Sequence, residues 1–228
     1  DPRAAFASWQ EAPDGCSGSG AFLRRAARIL IEHGEPVAAK EVLEAWVGLE
    51  PGNSEAHLRM GITISAIRPQ DALDTLRFAR ELSREGSGLA TALIETIEAS
   101  ALVGEPAYSL AQVGQALARE EEWQLAKVAF QNALALQPDY PDALAYLGLT
   151  LDKTGSDGSQ QLQTAAASAP EAAFPNLLLG IHWRSVGNLR KAQDALETAA
   201  GLDPKDPVIM VELAATYLEM GQIEAAEA

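Results

Sequence analysis

The chain has 228 residues, 47% of them apolar and 6% aromatic, which is enough hydrophobic material for one or two cores and too much for a disordered polypeptide. Its 17 basic against 32 acidic residues leave a formal charge of −15, a field that repels nucleic-acid phosphate and anionic membrane surfaces. Cys16 is the sole cysteine, so an intramolecular disulfide and a thiolate-built metal site are both excluded, and the longest nearly apolar stretch, Leu89 to Val103, carries Glu95 and Glu98 and falls short of the roughly 20 residues that cross a bilayer.

In chain order, residues 1–19 predict a cap and linker. Asp1 to Glu11 suits a short helix whose Phe6 and Trp9 cover the next element, and APDGCSGSG is flexible in composition. From Gly20 the apolar residues recur at helical spacing, and small residues recur about every 34 positions. Residues 20–53 carry Leu23, Ala27, Leu30, Gly34, Ala39, Leu43 and Pro51 at positions 4, 8, 11, 15, 20, 24 and 32 of such a unit. Ser54 to Gly86 follows with Met60, Gly61, Ile64, Ala72, Leu76 and Ala79, one residue short. These two copies form an N-terminal arm, 20–86.

Residues 87–106 fit neither half of the unit. The apolar stretch predicts one helix over Leu89–Val103, an odd helix between two well-defined frames. Two readings fit it, a bend or boundary between two arms and a degenerate copy lacking its second helix.

Residues 107–228 form a C-terminal arm of three copies and a partial fourth. Ala107–Tyr140 places Gly114, Ala126, Phe130, Ala133 and Pro138 at positions 8, 20, 24, 27 and 32. Pro141–Ala172 opens with Leu144, Leu147, Gly148, Leu151 and Gly155, then loses two residues near Ser156–Ser159, which predicts a short second helix. Ala173–Asp206 has Gly180, Trp183, Gly187, Ala192, Leu196, Ala199 and Pro204 in place. A fourth copy opens at Pro207 with Leu213, Ala214, Tyr217 and Gly221. The chain starts without an initiator Met and stops inside this pattern, so it reads as a piece of a longer protein whose array continues.

The pattern has a physical reason. Small residues at positions 8, 20 and 27 let two helices approach, and large ones at 4, 7, 11 and 24 fill the surrounding space. Gly at 15 and Pro at 32 stop the first and second helix. A helix pair alone leaves one face bare, so copies must stack.

These positions closely resemble the tetratricopeptide repeat over the whole length of the best copies. The resemblance implies an all-α fold, a right-handed superhelical solenoid of antiparallel helix pairs, with ligands on a concave face lined by first-helix positions 2, 5, 9, 12 and 13. It also implies a non-enzymatic scaffold that binds a peptide or helix of a protein partner and needs no cofactor. Carried over, those positions give Arg24, Arg28, Leu58, Ile62, Tyr108, Gln115, Arg119, Leu149, Lys153, Phe174, Leu177, Ile181 and Arg184, and Val208 and Val211 extend the apolar end. Arg24 and Arg28, one turn apart, suit a carboxylate. Phe174, Leu177, Ile181, Val208 and Val211 suit an amphipathic helix or extended peptide. Self-burial of these side chains by a tightly wound array is the alternative. The subgroup that clamps chaperone C-termini has Asn at positions 9 and 6 of consecutive copies; Arg28 and Arg59 stand there, so its ligand is not implied.

Chemistry finds no constellation in the sequence. His33, His57 and His182 are dispersed in separate copies and read as surface or packing residues. GCSGSG lacks the Lys-Ser or Lys-Thr of a phosphate loop. DKTGSDGS from Asp152 alternates oxygens as a calcium loop does, but its sixth residue is Asp157 and its twelfth Gln163. Glu120–Glu122 reads as a solvated edge, and the acidity as a soluble surface, with steering of a basic partner as the sharper alternative. The expected partner is therefore a protein or peptide, with self-assembly into a structural scaffold, or service as a docking arm of a larger enzyme or secretion complex, as rivals. The Ala-rich composition points to a bacterial origin, and the compartment, bacterial cytoplasm or periplasm, stays open.

Overall fold

The structure, a computed structural model, describes residues 19–83 and 88–222, together with residues 7 and 226. The cap expected from Phe6 and Trp9, and Cys16, lie outside the described residues. Within them the chain is all-α, an array of antiparallel helix pairs packed in chain order, with no strand. The helices are α1 (Gly20–Glu32), α2 (Pro36–Leu49), α3 (Ser54–Ser65), a 3-10 turn (Pro69–Ala72) leading into α4 (Leu73–Leu82), α5 (Gly88–Ala101), α6 (Pro106–Arg119), α7 (Trp123–Leu136), α8 (Pro141–Lys153), α9 (Ser159–Ser168), α10 (Ala173–Ser185), α11 (Leu189–Leu202) and α12 (Pro207–Glu219).

Local chemistry explains where they start and stop. Pro36, Pro106, Pro141 and Pro207 open helices at the first turn, where their missing N–H is no loss. Side chains of Ser19, Asn53, Asn188 and Asp206 accept first-turn N–H groups of α1, α3, α11 and α12. At the first-helix ends, Gly34, Gly155, Gly187 and Gly221 take φ between 75 and 79°, a left-handed turn that closes the last carbonyls. In the copy starting at Ala107 the same place holds Glu121, which adopts φ 59° without the freedom of glycine.

The close contact at position 8 is the interlock that the sequence implies. A Cβ on Gly114 would sit 2.7 Å from the Phe130 ring, and one on Gly180 would sit 2.5 Å from Leu196. Each glycine is therefore the floor on which the position-24 side chain of the partner helix rests, and Phe130 and Leu196 are both wholly buried. The two-residue deletion in the copy starting at Pro141 is absorbed by α9, which has 10 residues where α7 and α11 have 14.

The chain divides into two compact units, residues 1–136 and 137–228. In the second, α8 pairs with α9 and α10 with α11, α12 lies on α11, and first helices α8, α10 and α12 are neighbours in sequence order. Leu177, Leu196, Ala199, Ile209 and Leu213 form its buried core.

The first unit holds the odd helix, α5. The turn after it repeats the turn after α1: Gly104 has φ 78° as Gly34 has 75°, and Glu105-Pro106 opens α6 as Glu35-Pro36 opens α2. Thus α6 follows α5 as a second helix would, yet it also serves as the first helix of the pair α6–α7. This double role moves α7 to the other layer, and α7 meets first helices α1 and α3 of the same unit.

Candidate functional site

The face formed by the first helices has different occupants in the two units. In the first, α3 and its C-cap Ala66 present Arg59, Ile62 and Ala66 along one stripe at i, i+3 and i+7. Arg59 Nη1 donates to Glu122 Oε1 at 2.6 Å, just before α7, and Asn132 Nδ2 of α7 donates to the Ala66 carbonyl at 3.0 Å. Ile62 lies between these two ties and is wholly buried. Glu122, expected as a solvated edge residue, is instead half-buried in this ion pair, because the odd helix brings α7 against α3.

The sequence-derived residues of this unit are placed as follows. Arg24 and Arg28 are exposed on α1, but Arg24 reaches Glu55 at 3.5 Å and Arg28 reaches Glu32 at 3.6 Å. Leu58, Tyr108 and Gln115 are half-buried, and Arg119 is exposed at the end of α6.

In the second unit the inner stripe is more open. Phe174 stacks at a tilt on Tyr146, with ring centres 5.0 Å apart. Leu149 and Ile181 are half-buried and Lys153 is exposed, whereas Leu177 is 6% exposed and belongs to the core beneath them. Val208, Val211 and Leu218 are 52%, 66% and 57% exposed, and their spacing along α12 puts them on one face with Ala215. Arg184 is half-buried beside this stripe. Burial works to lower its pKa, but hydrogen bonds to Glu219 at 2.9 Å and to Glu212 outweigh that and hold it above the ordinary arginine value. The guanidinium is thus engaged by two carboxylates of α12. At the back of α12, Tyr217 donates its hydroxyl to Glu197 at 2.9 Å, and burial followed by that carboxylate raises its pKa.

Folding also joins residues that the sequence leaves apart. His182 of α10 is 4% exposed and faces Asp152, at the end of α8, and Asp157 in the next turn. Side-chain groups of the three lie within 4.8 Å of one another. The sequence signal is a His at position 10 of one first helix and an Asp at position 12 of the preceding one, neighbours only once the copies stack. No helix among the described residues is long and apolar enough to cross a membrane.

A tetratricopeptide-repeat family model matches residues 184–228. A stretch of 135 residues, 55% of the chain, is 30% identical to cellulose synthase operon protein C of Pseudomonas fluorescens strain SBW25, and covers 10% of that protein's length. Among solved structures, MamA (residues 41 to the end) from Desulfovibrio magneticus RS-1 is similar at 19% identity and TM-score 0.46, over 91% of this chain and 89% of that one. A tetratricopeptide repeat protein from Parabacteroides merdae ATCC 43184 is similar at 17% identity and TM-score 0.48, over 91% and 76%.

Proposed function

We propose that the chain, whose residues 184–228 match a tetratricopeptide-repeat family model, is a non-enzymatic protein-interaction scaffold whose binding face is the first-helix stripe of residues 137–228, and that this face takes an apolar helix or peptide of a partner protein. The observation that carries the choice of face is the exposure of Val208, Val211 and Leu218 on one side of α12. Three large apolar side chains in a row are what an amphipathic helix or extended segment needs. Phe174 and Ile181 continue the stripe on α10, and Leu149 on α8. In the other unit the equivalent stripe on α3 is tied to α7 through Glu122 and Asn132.

A photo-crosslinking amino acid placed at Val211, with a control at exposed Val37 on α2, tests the assignment in cells. The expected result is a discrete protein adduct from position 211 that disappears with Val208→Glu and is absent from position 37. Equal labelling from both positions, or an adduct untouched by Val208→Glu, overturns it. An adduct of twice the chain mass identifies self-association through the same face.

The likeness to a stretch of a cellulose synthase operon protein favours a second reading for the context, in which the repeats act as a docking arm of a larger assembly.

A further inference from the structure

The turn DKTGSDGS fails as a calcium loop, yet its two aspartates are held toward His182. Asp152 Oδ1 accepts the Gly158 N–H at 2.9 Å and Asp157 Oδ1 accepts the Ser159 N–H at 2.8 Å, so both carboxylates are fixed by the turn itself. Asp152 Oδ2 stands 2.8 Å from His182 Nδ1. A carboxylate accepts, so Nδ1 carries a hydrogen, and the tautomer with that hydrogen on Nδ1 presents its lone pair at Nε2.

Nε2 faces Asp157 Oδ1 at 3.7 Å, on a side chain only 4% exposed. That separation is too long for a hydrogen bond, and a charge-assisted one would draw the atoms to about 2.7–2.9 Å. It is close to the spacing of two ligands on one metal ion: bonds of about 2.0–2.2 Å at a tetrahedral angle put ligand atoms about 3.3–3.6 Å apart. An imidazole nitrogen and a carboxylate oxygen facing each other at this separation are a pair that a metal ion can bridge, and the gap has the size for one.

We propose that His182 Nε2 and Asp157 ligate a divalent transition-metal ion of the zinc class, with Asp152 as a positioning residue that fixes the ring through Nδ1–H. Carboxylate, imidazole and metal then form the arrangement in which the outer carboxylate sets the tautomer and raises ligand basicity. Imidazole nitrogen selects zinc, cobalt or nickel over the oxygen-seeking calcium and magnesium. The side chain of Asp157 is 77% exposed, so water reaches the remaining coordination positions and the ion has an entry path. Neighbouring Arg184 is turned toward Glu212 and Glu219, and Lys191 lies over the Trp183 ring, so neither cation neutralises the pair. The ion would tie the end of α8 and the α8–α9 turn to α10, which is where the repeat is two residues short.

Zinc binding by calorimetry and cobalt uptake by visible absorption, each on the full chain, test the site, together with melting curves in EDTA, zinc and magnesium. The expected result is one ion per chain, a melting temperature raised by zinc and unmoved by magnesium, and a loss of affinity of tenfold or more in Asp157→Asn. That variant keeps an oxygen for the Ser159 N–H and should melt as the parent does in EDTA. Asp152→Asn should bind zinc more weakly while retaining the cobalt spectrum. Equal zinc affinity in the parent and in Asp157→Asn, or an equal rise with magnesium, overturns the proposal.

Discussion

The two units are built from the same helix pair but differ in what lies on the first-helix face. In residues 1–136 the odd helix α5 shifts the alternation, and α7 rests on α1 and α3, with Ile62 wholly buried on the α3 stripe. In residues 137–228 no helix intervenes between copies, and Val208, Val211 and Leu218 remain exposed on α12. The packing rule at position 8 is the same in both, so the difference comes from parity and not from the quality of the repeats. One extra helix of 14 residues decides which face the chain keeps for itself.

The largest expected effect tests how firmly α7 is held. Phe130 is wholly buried against Gly114, and Phe130→Ala should destabilise the first unit by about 3–5 kcal/mol in denaturant unfolding, through lost transfer energy and the cavity left behind. Leu196→Ala, the counterpart on Gly180, should cost about 2–5 kcal/mol. Hydrogen exchange separates the two variants: the first should speed exchange in α3 and the second should not. Unchanged α3 protection in Phe130→Ala would break the comparison.

A smaller effect is expected from Arg59→Ala. The pair with Glu122 is 41% and 25% exposed, so its loss should cost about 1 kcal/mol or less. The informative readout is again α3, whose stripe loses its Arg59–Glu122 tie to the α7 region while the Asn132 bond to the Ala66 carbonyl remains.

Most of the helical architecture is legible in the sequence because position 8, position 15 and position 24 obey steric rules that need no knowledge of neighbours. Gly180 against Leu196 and the shortened α9 follow directly from spacing. What lies on each face is not legible, since it depends on contacts between copies. Glu122 looks solvated until α7 is placed on α3, and His182 looks like packing until α8 and α10 are side by side. Arg24 and Arg28 likewise read as an open cationic pair, and only the fold shows Glu55 and Glu32 beside them.

Glu121 sharpens the comparison at the next level down. Its φ of 59° stands where Gly155, Gly187 and Gly221 stand in the second unit, so the first unit carries a backbone strain that the other avoids. Glu121→Gly should stabilise the chain by about 0.5–1 kcal/mol in denaturant unfolding, the relief of strain exceeding the added freedom of the unfolded chain. No change, or a loss, would mean that the turn is held by contacts other than its own dihedral preference.

The smallest effect is a pH dependence confined to the second unit. The pKa of Tyr217 is raised by burial and by Glu197, so the folded state holds its proton more tightly than the unfolded state does. Its contribution is fully present below the unfolded tyrosine value of about 10 and is lost as pH rises through the higher folded value. Stability of the parent should therefore fall more steeply above about pH 10 than that of Tyr217→Phe, which has no proton to lose there. Parallel curves for the two proteins would show that the Tyr217–Glu197 hydrogen bond does not link α12 to α11 in solution.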